Sequence, residues 1–227
     1  MRQRLEDIRK RIRRAAESCN RDTDSIRLVA VSKTVPAETV KDAIEAGATI
    51  LGENYVQEAR EKFDKLVHYP VSWHFIGHLQ SNKAKYAVRL FDLIHSVDSL
   101  KLARALDKEA QKAEKIQLIL VQVNISGEDT KSGVSAEEIP GLISEISQLK
   151  NVSIKGLMTM PPYFYQPEKV RPYFAALREL RDRLKEQAVP NVSMDELSMG
   201  MTGDFEVAIA EGATLVRIGT AIFGERK

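Results

Sequence analysis

Cysteine is almost absent from this 227-residue chain. Cys19 stands alone, so no intrachain disulfide framework can form, and synthesis in a reducing compartment, the cytoplasm, is expected. No apolar run approaches the roughly 20 residues that span a bilayer. Charge of one sign is not in excess: 34 basic against 32 acidic residues leave a formal net charge of +2. That balance argues against bulk binding to nucleic acid or to a membrane surface. The stretch from Met1 to Arg14 lacks the apolar core of a secretory signal, and Glu6 and Asp7 argue against a transit peptide. Leu5, Ile8 and Ile12 instead fall at helical spacing, giving an amphipathic helix with a solvated basic face. A glycine-rich phosphate fingerprint is missing as well. The first apolar run leads into Ser32-Lys33-Thr34-Val35-Pro36, which contains no glycine, so an open nucleotide-binding sheet is disfavoured.

What remains is an alternation of strand-like and helix-like segments from end to end, the pattern of α/β architecture with parallel strands. Eight strands are predicted near Leu28–Ser32, Thr49–Gly52, Trp73–Ile76, Leu93–Ser96, Gln117–Asn124, Ile154–Met158, Glu196–Met199 and Leu215–Ile218. Each is rich in Val, Ile, Leu or Phe, as strands covered on both faces require. Helices are predicted over Ala37–Ala46, Ser99–Lys115, Ala136–Leu149 and Pro167–Gln187, with Gly47 closing the first and Ser99 capping the second. Tyr163–Pro167 reads as a loop. Ala43-Ile44-Glu45-Ala46-Gly47-Ala48-Thr49-Ile50 is echoed by Ala208-Ile209-Ala210-Glu211-Gly212-Ala213-Thr214-Leu215, one helix-to-strand unit used twice. The expected fold is a (β/α)8 TIM-type barrel with an extra N-terminal helix, a single domain over residues 1–227.

In such a barrel the active face is the C-terminal end of the strands. Lys33 lies there, closing the apolar run Leu28-Val29-Ala30-Val31, where a desolvated amine can lose its proton and form a Schiff base with an aldehyde. Phosphate in barrels is often bound by the loops after strands seven and eight. Here those loops are Ser198-Met199-Gly200-Met201-Thr202-Gly203-Asp204 and Gly219-Thr220, with hydroxyls and exposed backbone N–H groups. Arg217, charged among apolar neighbours, requires a partner and can donate to a pyridine nitrogen. Asn54, after strand two, can reach the ring hydroxyl of such a ligand, while Asn124 and Lys131-Ser132-Gly133 lie on the same rim. Met158 and Met160 end strand six, where packing is expected. His74 and His78 invite a metal, but strand alternation and the turn at Gly77 argue against their converging.

Six segments together resemble the pyridoxal phosphate homeostasis proteins, which share the barrel of the alanine racemase N-terminal domain. They are Ala30–Lys33, Gly52–Glu58, His74–Lys83, Gly156–Met160, Leu197–Asp204 and Val216–Gly224, and they are spread along almost the whole chain. Thr202 stands where that family often has serine, and a hydroxyl is retained. The resemblance implies pyridoxal 5'-phosphate held as an aldimine on Lys33. It implies Ser198, Gly200, Gly219 and Thr220 around the phosphate, Arg217 facing the pyridine nitrogen, and Asn54, Met158 and Met199 completing the cofactor site. It also implies a role in cytoplasmic cofactor supply, buffering and amino-acid balance, without catalysis, with cofactor-free enzymes as recipients.

The competing expectation is a pyridoxal phosphate-dependent amino-acid racemase, which needs an acid/base on each face of the α-carbon. In related racemases one base comes from a second domain across a dimer interface. This chain offers no obvious replacement base, since Phe223-Gly224-Glu225-Arg226-Lys227 follows strand eight directly. A monomer is therefore expected, and Lys83 and Lys131 are candidate surface lysines for passing the cofactor on.

Overall fold

The computed structural model describes residues 1–128 and 132–225; Lys131 lies outside the described residues. Eight strands form: β1 Arg27–Val31, β2 Ile50–Glu53, β3 Ser72–Phe75, β4 Leu93–Val97, β5 Gln117–Asn124, β6 Val152–Met158, β7 Val192–Ser198 and β8 Leu215–Ile218. Each pairs in parallel with its successor, and β8 returns to β1 through Val29 opposite Arg217 and Ala30 opposite Ile218. Among the described residues these eight strands therefore close into a barrel. A two-residue strand, Val134–Ser135, adds to the end of β5.

The strand predictions hold to within one residue at most ends. The exceptions are β6 and β7, which begin two and four residues earlier than their apolar runs, as comparing Val152 with Ile154 and Val192 with Glu196 shows. The added part of β7 alternates, with Met194 buried and Asp195 exposed and paired with Lys185, so it gives no continuous apolar run. Helices connect the strands: α1 Arg2–Ser18, α2 Ala37–Glu45, α3 Val56–Leu66, α4 Ala84–Leu90, α5 Leu100–Lys112, α6 Ile139–Ile146, α7 Arg171–Glu186, α8 Phe205–Ala210 and α9 Thr220–Phe223. Ser99 caps α5 as expected, its Oγ accepting from the Leu102 N–H at 3.3 Å. The predicted helix from Pro167 divides into a 3-10 turn, Pro167–Val170, and α7. Pro172 lacks an N–H and is tolerated only in a first helical turn, so the α-helix starts beside it.

The repeated segment proves to be a repeated turn. Gly47 and Gly212 both take left-handed φ, +105° and +98°. Around them Ala48 N–H donates to Ala43 O and Gly47 N–H to Ile44 O, and Ala213 to Ala208 and Gly212 to Ile209 match this bond for bond. This is the Schellman arrangement, which satisfies orphan helix carbonyls and turns the chain into a strand.

Two apolar cores result. Alternation along the strands points Val29, Ile50, Leu93, Leu120, Met158 and Leu215 into the barrel, where they cluster together. The opposite faces pack against the helices, with Phe75, Phe91, Phe174 and Phe205 among the largest buried side chains. Helix α1 lays Leu5, Ile8 and Ile12 into this outer layer. Its basic face is only partly solvated: Arg9 donates to Gly47 O, Arg4 donates to Ile222 O, and Arg11 pairs with Glu206.

Gly212→Ala forces an L side chain into the left-handed turn before β8. It is expected to cost about 1–2 kcal/mol in urea unfolding, with the native fold retained.

Candidate functional site

Because all eight strands run the same way, their C-terminal ends share one rim, and a cavity of about 370 Å³ opens there. Val31, Ile76 and Arg217 line it from β1, the end of β3 and β8. Lys33 and Asn54 enter from the loops after β1 and β2, the segment Met201–Asp204 from the loop after β7, and Gly219 and Thr220 from the end of β8. Met160, Tyr163, Phe164 and Tyr165, from the loop after β6, complete the wall.

Several of these groups are fixed by their surroundings. Asn54 is held by the loop after β3: a Cβ on Gly77 would stand 2.3 Å from Asn54 O, so only glycine lets the two backbones meet. The Asn54 Oδ1 is buried without a hydrogen-bond partner, a costly state for an acceptor beside a cavity. Thr202 and Thr220 bring their hydroxyls to 3.3 Å of each other from two different loops. Asp204 accepts from the Met201 N–H at 2.6 Å, which closes the loop after β7, and burial raises its carboxyl pKa.

Beneath the cavity a line of polar groups crosses the barrel interior. Arg217 is 4% exposed and donates to Ser198 Oγ at 2.6 Å and to Thr159 O at 2.9 Å. Ser198 Oγ lies 2.8 Å from His95 Nδ1, and His95 Nε2 lies 2.9 Å from His74 Nδ1. The line is satisfied with both imidazoles neutral if Ser198 donates to His95 and His95 donates to His74. Burial keeps both rings neutral. It lowers the pKa of His74 from 6.5 to about 4, with Arg27 adding to the effect, and that of His95 well below 6.5. Burial also lowers Arg217 to about 10, which leaves it charged at neutral pH.

Of the residues singled out by sequence, Lys33, Asn54, Met160, Thr202, Arg217, Gly219 and Thr220 line one cavity. Several others lie outside that lining. Met158 belongs to the inner apolar core, as packing rather than chemistry would have it. Ser198 is fully buried below the cavity with its hydroxyl engaged by Arg217 and His95, and Met199 is packed in the outer core. Gly200 has φ +89° and backs onto α8, where a Cβ would come within 2.5 Å of Ala208 Cβ. Asn124 bonds within its own loop, to Glu128 O and Ser126. His78 is exposed and lies 3.8 Å from Asp98, away from His74. Among the described residues no group of three His, Cys, Asp or Glu side chains is placed to hold a metal. His95 carries no local signal in the sequence, because its partners are 21 and 103 residues away, and Tyr163–Tyr165 reads there as plain loop. Three consecutive aromatics in the loop after a strand end on the active rim are the available signal.

His74 makes stability depend on acid. An unfolded imidazole takes up its proton near pH 6.5, whereas the folded one resists until about 4. Acid therefore favours the unfolded chain across that window, by roughly 3 kcal/mol at its lower end. Urea midpoints are expected to fall between pH 6.5 and 4, and to fall less steeply in His74→Gln.

A family model described as "Alanine racemase, N-terminal domain" matches residues 4–227. A pyridoxal phosphate homeostasis protein of Aquifex aeolicus is 48% identical over 99% of this chain and 98% of its own length. One of Escherichia coli K12 is 41% identical over 98% and 95%. PipY of Synechococcus elongatus, solved with pyridoxal phosphate bound, superposes with a TM-score of 0.82 at 38% identity, covering 94% of this chain and 100% of its own.

Proposed function

The chain belongs to the alanine racemase N-terminal domain family, and from that premise we propose that it binds pyridoxal 5'-phosphate as a Schiff base on Lys33 and serves intracellular cofactor homeostasis. The reading rests chiefly on one observation: Lys33, the buried guanidinium of Arg217 and the unpaired Oδ1 of Asn54 line the same cavity. A lysine amine, a fixed cation and an acceptor lacking a donor match the aldehyde, the ring nitrogen and the ring hydroxyl of pyridoxal phosphate. The likeness to PipY, which is described with that cofactor bound, supports the same ligand.

Each residue then has a task. Lys33 supplies the amine. Thr202, Gly219 and Thr220 receive the phosphate at the strand-seven and strand-eight loops, where barrels commonly bind one. Ser198 and Gly200 act one layer back, Ser198 by aiming Arg217 and Gly200 by seating α8. Met158 and Met199 fill the packing beneath. Arg217 donates hydrogen bonds and cannot accept them, so it leaves the pyridine nitrogen unprotonated. Bound pyridoxal phosphate supplies an electron sink for bonds at an amino-acid α-carbon, and an unprotonated nitrogen weakens that sink. The arrangement thus suits holding and releasing the cofactor better than catalysis, in keeping with supply and buffering for cofactor-free enzymes in the cytoplasm and with amino-acid balance.

Purified protein mixed with pyridoxal phosphate should show the visible absorbance of a protonated imine, and borohydride should fix the cofactor covalently to Lys33 in a peptide map. Lys33→Ala should lose both and retain the cofactor at least about 10-fold less well, the covalent link being gone. Equal spectra in the two proteins would overturn the assignment. Turnover of L-alanine to its D form by the loaded protein would move the reading to a racemase.

A further inference from the structure

The segment carrying Lys33 is strained. Ser32, Lys33, Thr34 and Val35 form a turn in which the Val35 N–H donates to Ser32 O at 3.1 Å. Its third residue, Thr34, has φ +61°, a conformation a β-branched side chain rarely adopts. Strain of this kind persists only where the surroundings over-determine it. Here the surroundings are a buried ionic cluster. Lys62, on α3, is 4% exposed. Its ammonium has three protons and three acceptors: Ser32 O, Glu53 Oε1 at 2.8 Å and Glu58 Oε1 at 2.7 Å. Both carboxylates return to the same turn. Glu53 accepts from Ser32 Oγ at 2.6 Å, and Glu58 accepts from the Thr34 backbone N–H. The two residues flanking Lys33 are therefore tied, directly or through one carboxylate, to a single ammonium.

From this geometry we infer that Lys62 is a positioning residue, which through Glu53 and Glu58 holds the strained Ser32–Val35 turn and so aims the Lys33 amine into the cavity. The inference rests on the assignment of Lys33 as the residue that carries the cofactor.

A purely structural ion pair is the bland alternative, and the cluster is ill suited to it. Buried ion pairs are often no more stabilising than apolar residues of the same volume. This one also leaves Glu53 Oε2 buried with no partner, and burial raises the Glu53 carboxyl pKa despite the adjacent ammonium. What the cluster fixes is the direction of one short segment, and small misplacement of a reacting group is costly in rate.

The test uses Lys62→Met, which keeps the stem and removes the charge, alone and together with Thr34→Asn. Thr34 is exposed, and asparagine tolerates positive φ, so the second change relaxes the turn without refilling the cluster. Capture of pyridoxal phosphate on Lys33 is followed by borohydride trapping, thermal unfolding by circular dichroism, and amide exchange at Thr34 and Val35 in the cofactor-free protein. Lys62→Met is expected to slow capture about 10-fold or more and to speed exchange at those two amides. The added Thr34→Asn change should recover most of the capture rate without recovering the melting temperature. A folded Lys62→Met protein that captures at the wild-type rate would overturn the inference, as would recovery of capture only in step with stability. If Lys62→Met fails to fold, Glu58→Gln takes its place, with slower capture expected and an unchanged rate contradicting the inference. If the wild type itself is not trapped on Lys33, the functional proposal fails. The clamp is then judged by exchange alone, unchanged protection at Thr34 and Val35 counting against it.

Discussion

The pairing of β1 with both β2 and β8 is the constraint on which the site depends. It sets Ala30 opposite Leu51 on one side and Ile218 on the other. The loop holding Lys33 therefore emerges between the loop holding Asn54 and the loop holding Gly219 and Thr220. Groups 21 and 187 positions from Lys33 in the chain become lining of one cavity without any loop needing to be long. Closure also gives each of the eight barrel strands a partner on both sides. The strands can then be buried on both faces, and their interior positions are free to carry something other than packing.

That interior is divided by chemistry. One part is apolar, the cluster of Val29, Ile50, Leu93, Leu120, Met158 and Leu215. Another is the hydrogen-bonded line Arg217, Ser198, His95 and His74. The apolar surroundings keep the histidines neutral, while Arg217 stays charged beneath the cavity. A second buried charge cluster, Lys62 with Glu53 and Glu58, lies behind the Lys33 turn. The turn that carries Lys33 and the Arg217 guanidinium are thus each held from behind by a polar network.

Much of this was legible in the sequence, for reasons that also set the limit. The barrel showed because strands covered on both faces give unbroken apolar runs, and those runs survive reading one residue at a time. Lys33 and Arg217 stood out because a charge among apolar neighbours is conspicuous locally. Depth within the barrel is not local. Ser198 and Thr202 are four residues apart on one segment, yet one lies under the floor and the other lines the cavity, because the chain turns at Gly200, whose φ is +89°. His95 looked like one more polar residue in β4 because its partners sit on β3 and β7. The Lys62 cluster has no local signature, since Glu58 and Lys62 have the i, i+4 spacing of an exposed pair. Only the approach of Ser32 and Glu53 shows that it is buried.

The central claim is that one cavity orients pyridoxal phosphate through its aldehyde, ring nitrogen and phosphate together. A crystal structure of the protein grown with pyridoxal phosphate tests it most directly. The account predicts density continuous from Lys33 Nζ into the cofactor, the ring nitrogen facing Arg217, and the phosphate against Thr202, Gly219 and Thr220. A cofactor bound away from Lys33, or reversed so that its phosphate meets Arg217, would contradict it.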